Sequence, residues 1–244
     1  MPSRSPARSD SARLRRAVVA AGRRLRESGL IAAGEGNLSV RLGQELLITP
    51  TGRRKDELAP ADLVVVPMLS PGAARQAASG VRPSSDIAIH RAIHGARPDV
   101  VAVIHAHLPA AMSLTLAGVV PDPGVLPETA LLLPRLPFVP FAPAGSDELA
   151  AAIAAALAGG PLPLPGAALL ERHGAVAVGD GPGDAETALE QAVDRLELVE
   201  VLCRTWRDAL LIRAASFALG TEAILRAPAA GPATPVRGRR RRNP

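Results

Sequence analysis

The chain has 244 residues, 48% of them hydrophobic and 21% charged, which is enough apolar material for one sizeable α/β core. Only 2% are aromatic and none is tyrosine, so any chemistry that needs a phenol acid is excluded. The formal charge of +5 is matched by five arginines in the last segment, Arg237, Arg239, Arg240, Arg241 and Arg242, which leaves the body near neutral and makes no case for a specific nucleic-acid binder.

Residues 1–10 are rich in Ser and Arg, lead into no apolar signal core, and read as a disordered N-terminus. From Ser11 to Ser28, Leu14, Val18, Ala21 and Leu25 recur at helical spacing, and Gly29 ends the pattern. "GEGNLS" (34–39) and "TPTG" (49–52) read as small-residue loops flanking the short β-rich run "ELLITP", with "DLVVVPM" a second strand. The segment "LSPGAARQAASGVRPSS" reads as a loop or hairpin. A helix should follow it, capped by a serine, with Asp86 in its first turn and its end before Pro98.

"VVAVIHA" is predicted as a strand, "PAAMSLTLAG" as a short helix, "PFVPF" as a strand and "SDELAAAIAAALAGG" as a capped helix. "AALLERHGAVAVGDG" reads as two strand-like runs around His173. The longest helix is expected from Asp184 to Ala214, with Leu189, Val193, Leu196, Val199, Cys203, Trp206 and Leu210 on one stripe. Residues 227–244 read as a disordered Arg-rich tail, leaving residues 11–226 as one domain. The single cysteine, Cys203, allows no internal disulfide and fits a reducing compartment. No run reaches the ~18 apolar residues of a membrane span, so a soluble, cytoplasmic protein with no membrane partner is expected.

Chemistry enters with "VVAVIHAHLP". In a strand, residues two apart share a face, so His105 and His107 project together with Cα atoms ~6.6 Å apart. A catalytic divalent ion commonly takes three protein ligands, and His173, which also interrupts an apolar run, is the natural third. Taken singly, each histidine is more often a packed, hydrogen-bonded residue. His90 and His94 form a rival i, i+4 pair, but Arg91 stands where a metalloprotease helix needs glutamate. His90 is therefore read as a pocket-lining candidate and His94 as structural. "GEGNLS", "TPTG" and the hydroxyls of "PSSD" at a helix start together suggest a phosphate cradle.

"GEGNLSVR", "ITPTG", "DLVVV", "RPSSDIAIHRAIHGARPDVVAVIHAH" and "LLERHGAVAVG", in this order across residues 11–212, resemble the class II aldolase/adducin family. The resemblance implies a three-layer α/β/α sandwich around a central, mostly antiparallel sheet, often assembled as a homotetramer with active sites between subunits. It implies that His105, His107 and His173 bind a divalent metal, Zn2+ foremost, with Mn2+, Mg2+ or Co2+ as alternatives. Asn37, Thr51, Gly52, Ser84 and Ser85 match residues that hold substrate phosphate, and Asp86 matches the catalytic acid/base, commonly glutamate in the aldolases.

The implied activity is a metal-dependent lyase, an aldolase that cleaves a phosphorylated sugar, a ketose 1-phosphate, through a metal-stabilised enediolate. The missing tyrosines depart from the aldolase pattern, in which they handle the proton at the departing aldehyde; Glu128 in "VLPETALL" is a candidate substitute. Epimerases, dehydratases and decarboxylases of sugar phosphates share the scaffold, and a non-catalytic adducin-like binding module is the alternative of another class.

Overall fold

In a computed structural model, which describes residues 6–68, 81–180 and 183–218, the chain folds as helix α1 (Pro6–Glu27), strands β1 (Asn37–Leu42), β2 (Glu45–Ile48) and β3 (Val64–Pro67), helix α2 (Ile87–Ala96), strand β4 (Val100–Ala106), helices α3 (Pro109–Leu116) and α4 (Pro127–Leu132), strand β5 (Phe138–Val139), helix α5 (Asp147–Ala158), strands β6 (Ala167–Leu170) and β7 (Gly174–Asp180), and helix α6 (Ala185–Ala218). The strands form one sheet in the order β3-β2-β1-β4-β7-β6-β5, antiparallel throughout except between β5 and β6. The chain divides into two compact units, residues 1–207 and 208–244, and the described part of the second is the end of α6. The segment 69–80 and the Arg-rich tail lie outside the described residues. Among the described residues no helix is long and apolar enough to cross a membrane.

Alternation along the strands builds three layers. Leu38 and Val40 of β1, Ile104 of β4 and Ala175 and Ala177 of β7 face a core shared with Leu14, Val18 and Leu25 of α1 and Leu189, Val193 and Leu196 of α6. On the opposite face Val103, Val176 and Val178 pack with Ile89 and Ile93 of α2 and Leu149, Ile153 and Leu157 of α5. The predicted α6 stripe is buried from Leu189 to Cys203, half-buried at Trp206 and exposed at Leu210. Burial pushes the Cys203 thiol up to about 12, which keeps it an unreactive packing residue.

The elements depart from the sequence reading in four places. Helix α1 opens at Pro6, not Ser11, because a proline at the first helical position gives up an N–H that has no partner there anyway. The second half of "GEGNLS" is not loop: Asn37 starts β1, whose polar residues Asn37, Ser39 and Arg41 alternate with Leu38, Val40 and Leu42. "VLPETALL" contains α4, with Glu128 exposed on it. At α2, Asp86 is the residue before the helix and makes no side-chain cap bond, while Ser84 Oγ accepts from the Asp86 N–H at 3.3 Å.

The polar face of β1 lies under α2, and it buries a directed hydrogen-bond chain. Asn37 donates from Nδ2 to Asp86 Oδ2 at 2.8 Å, since a carboxylate can only accept there. Its Oδ1 therefore accepts from His90 Nε2 at 2.6 Å, which fixes the His90 tautomer and leaves Nδ1 to accept from the Ser39 hydroxyl at 2.7 Å. Ser39 Oγ then accepts from His94 Nε2 at 3.2 Å. His90 is thus structural and lies behind the cleft it was expected to line, with no exposed surface. Burial pushes His90 down to about 3 and His94 to about 4.

An unfolded chain would protonate both near the ordinary value of 6.5, whereas the native chain stays neutral to about 4 and below. Their contribution is complete above pH 6.5 and is lost as pH falls through that window, each group adding a slope of about 1.4 kcal/mol per pH unit. Thermal melts of the wild type should show Tm falling between pH 6.5 and 4.5, and His90→Phe should flatten that dependence. Parallel curves for the two proteins would assign the pH sensitivity to other groups.

Candidate metal and anion site

Strand β4 carries His105 beside Asn37 of β1 on one side and Val176 of β7 on the other, and His107 follows the strand's last residue. His173 arrives from the tight turn between β6 and β7. Gly174 starts β7 with φ +88°, and a Cβ on it would run into the Ala106 carbonyl and the His107 backbone. Only glycine lets the two strands approach this closely. Arg172 takes a left-handed φ of 59°, and its N–H is held by Thr115 Oγ1 of α3 at 3.1 Å.

These constraints gather the three imidazoles. Ring centroids lie 4.9 Å apart for His105 and His107, 4.6 Å for His105 and His173, and 4.9 Å for His107 and His173. One nitrogen from each lies within 4.8 Å of the others, so the set can hold a single metal ion. Burial, reinforced by the neighbouring rings, lowers His107 and pushes His173 down to about 4, which keeps both in the neutral form that a divalent ion requires. His105 turns Nδ1 toward Asp86 Oδ2 at 3.3 Å, the carboxylate–imidazole pairing that orients ligating histidines. Hydrogen bonding from His105, joined by Asn37, holds the Asp86 carboxyl well below the usual carboxylate range, so it is ionised at neutral pH.

The rings of His107 and His173 line a cleft of about 220 Å3 together with Asp86, Asn37, Thr51, Gly52, Ser84 and Ser85. Its three small-residue segments are laced by backbone bonds. Thr49 N–H donates to the Leu38 carbonyl at 3.0 Å, Ser84 N–H to the Thr49 carbonyl at 3.0 Å, and Thr51 N–H to the Arg82 carbonyl at 3.1 Å. The exposed Ser85 and Gly52 and the buried Ser84 and Asn37 thus converge although up to 48 positions separate them. Glu128 does not line the cleft.

Two lining residues escaped the sequence reading. Glu35 comes within 3.8 Å of His107 Nδ1 through Oε1, and its other oxygen accepts from the Ala32 N–H at 3.0 Å. Lys55 is 1% exposed, and its Nζ donates to the carbonyls of Gly34 at 2.8 Å and Arg53 at 2.7 Å. Burial pushes its pKa down to about 8, partly offset by the charge of Asp86. The available signal was its solitude, since no other lysine occurs in the chain.

Comparison with known proteins agrees with this fold and places the chain in a family. Residues 16–207 match the Class II Aldolase and Adducin N-terminal domain. The chain is 34% identical over 195 residues to the 5-methylthioribulose-1-phosphate/5-deoxyribulose-1-phosphate aldolase of Rhodospirillum rubrum, covering 80% of each chain. It is 31% identical over 204 residues to the 3-oxo-tetronate 4-phosphate decarboxylase of Cupriavidus necator, covering 81% of this chain and 85% of that one. The crystal structure of L-fuculose-1-phosphate aldolase from Thermus thermophilus superposes with a TM-score of 0.72 at 29% identity, over 91% of this chain and all of the other. On the match across residues 16–207, this chain belongs to the class II aldolase/adducin family.

Proposed function

We propose that the protein is a divalent-metal-dependent lyase, an aldolase that cleaves a phosphorylated sugar of the ketose 1-phosphate class. The observation that carries this reading is the convergence of three imidazoles at a cleft whose wall also holds an ionised carboxylate and three small-residue segments. The named relatives act on phosphorylated sugars or sugar acids, which supports the substrate class. His105, His107 and His173 would hold the ion, and a set of three imidazole ligands suits Zn2+. The bound ion would supply Lewis acidity that stabilises negative charge on the substrate's C2 and C3 oxygens.

The chain's own residues do the rest. The amides and hydroxyls of Asn37, Thr51, Gly52, Ser84 and Ser85 would hold the phosphate and so fix the sugar's reach toward the histidines. Cleavage breaks the C3–C4 bond: the C4 hydroxyl loses its proton as its carbon becomes the aldehyde, and the electron pair remains with the C2–C3 fragment. Asp86 enters ionised, so it takes that proton first and afterwards returns it to C3. Asn37 holds Asp86 in place throughout, itself held by His90.

One observation favours a second reaction on the same machinery. The chain has no tyrosine, and a decarboxylation, dehydration or epimerisation makes no demand for a phenol at the leaving aldehyde. A homotetramer in the cytoplasm completes the reading, in which the exposed Leu116, Leu131 and Leu132 are apolar side chains that a neighbouring subunit would cover.

Purified protein should contain about one divalent ion per chain by elemental analysis, as a three-ligand site requires, and His107→Ala should lose it; full occupancy in that variant would reject the ligand set. Asp86→Asn should keep its metal yet lose about 10²- to 10⁴-fold in turnover, the usual span for a removed acid/base. Products identified from a panel of phosphorylated ketoses and sugar acids decide between cleavage and the other reactions, and undiminished turnover in Asp86→Asn would remove Asp86 from its role.

A further inference from the structure

Lys55 is the chain's sole lysine among 28 basic residues, and it is the one basic side chain other than histidine among the residues lining the cleft. It is also among the largest fully buried side chains. A buried ammonium is normally paired with a carboxylate, because desolvating an uncompensated charge is costly. Here the partners of Nζ are two backbone carbonyls, Gly34 at 2.8 Å and Arg53 at 2.7 Å, and among the described residues it forms no ion pair. The charge of Asp86 is felt without a contact. Two of the three N–H groups are thereby used, and one remains.

The two carbonyls belong to the two loops on either side of the small-residue cradle: Gly34 precedes β1, and Arg53 follows Thr51 and Gly52. The ammonium therefore sits between the segments that would clasp an anion, in a cleft whose other polar lining is neutral or acidic. The fold makes room for it. Gly22 of α1 faces the Lys55 backbone so closely that a Cβ there would lie 3.0 Å from the Lys55 carbonyl oxygen and 3.1 Å from its Cβ. Arginine would not serve, since its planar fork of five N–H groups could not be satisfied by two carbonyls and one ligand, whereas an ammonium is a compact point charge.

We propose that Lys55 is the charge anchor of the anion cleft, meeting the substrate's phosphate with its remaining N–H while it ties the Gly34 loop to the Thr51–Arg53 turn. This rests on the phosphorylated-substrate reading above. It adds the cation that reading lacks: amides and hydroxyls orient a phosphate, and Lys55 neutralises it. A free phosphate ion and a sugar phosphate share the chemistry it recognises.

The test uses full-length, metal-loaded protein and inorganic phosphate as the probe, followed by calorimetry. Lys55→Met should weaken phosphate binding by about 10- to 100-fold, the worth of one charge-assisted contact, with metal content unchanged and Lys55→Arg failing to restore it. On a substrate found by the screen, KM should rise with kcat within a few-fold. Equal phosphate affinity in wild type and Lys55→Met overturns the anchor while leaving the phosphorylated-substrate reading intact; a wild type that binds no phosphate overturns both. A fall in kcat at unchanged KM and phosphate affinity also overturns it, in favour of proton transfer.

A second measurement does not depend on the variants folding. Pyridoxal phosphate, an aldehyde that carries a phosphate, condenses with an amine to an imine with loss of water, and borohydride then reduces that bond. With one lysine in the chain, the modified side chain mapped by mass spectrometry should be Lys55, and inorganic phosphate should protect it. Modification that phosphate does not slow would contradict the anchor.

Discussion

The end of β4 and the start of β7 meet at a point where a single methyl group would not fit. Because Gly174 has none, its strand closes against the Ala106 carbonyl and the His107 backbone, and His173 comes to stand beside two histidines 66 and 68 positions earlier. Everything the site can do with a cation follows from that contact. Three imidazoles whose nitrogens lie within 4.8 Å of one another need little rearrangement to share an ion, and that preorganisation is where binding free energy is gained.

Behind the rings, the polar face of β1 performs a second task. Strand register sets Asn37 beside His105, and alternation sets Ser39 beneath α2, so that His90 and His94 are recruited as supports rather than ligands. The chain from His94 through Ser39, His90 and Asn37 to Asp86 has one consistent direction of donation. It presents an amide N–H to the carboxylate and thereby helps to keep it ionised. Buried networks of this kind stiffen a site when every member is satisfied.

The electrostatics of the cleft are asymmetric. Its wall combines the ionised Asp86 and the imidazoles of His107 and His173 with a buried ammonium whose partners are carbonyl oxygens. A substrate with an anionic end and a pair of neutral oxygens would complement this arrangement along its length.

The sequence by itself determined much of the frame and the identity of the ligand-type residues. Short apolar runs marked β4, β6 and β7, the α6 stripe marked the longest helix, and the spacing of His105 and His107 put both on one face, because these are local properties of a chain with fixed backbone geometry. It did not reveal β1, whose alternation of polar and apolar residues between glycines looks like loop until a polar layer exists to receive Asn37 and Ser39. Nor did it reveal that His90 lies behind the cleft and not in its wall, since that ring is held by Asn37 and Ser39 of a strand the sequence did not show. Tertiary structure decided that, and it decided the setting of Lys55: burial, the absence of an ion pair among the described residues and the nearness of two loops are relations between separate segments, and such relations come into being only when the sheet is assembled.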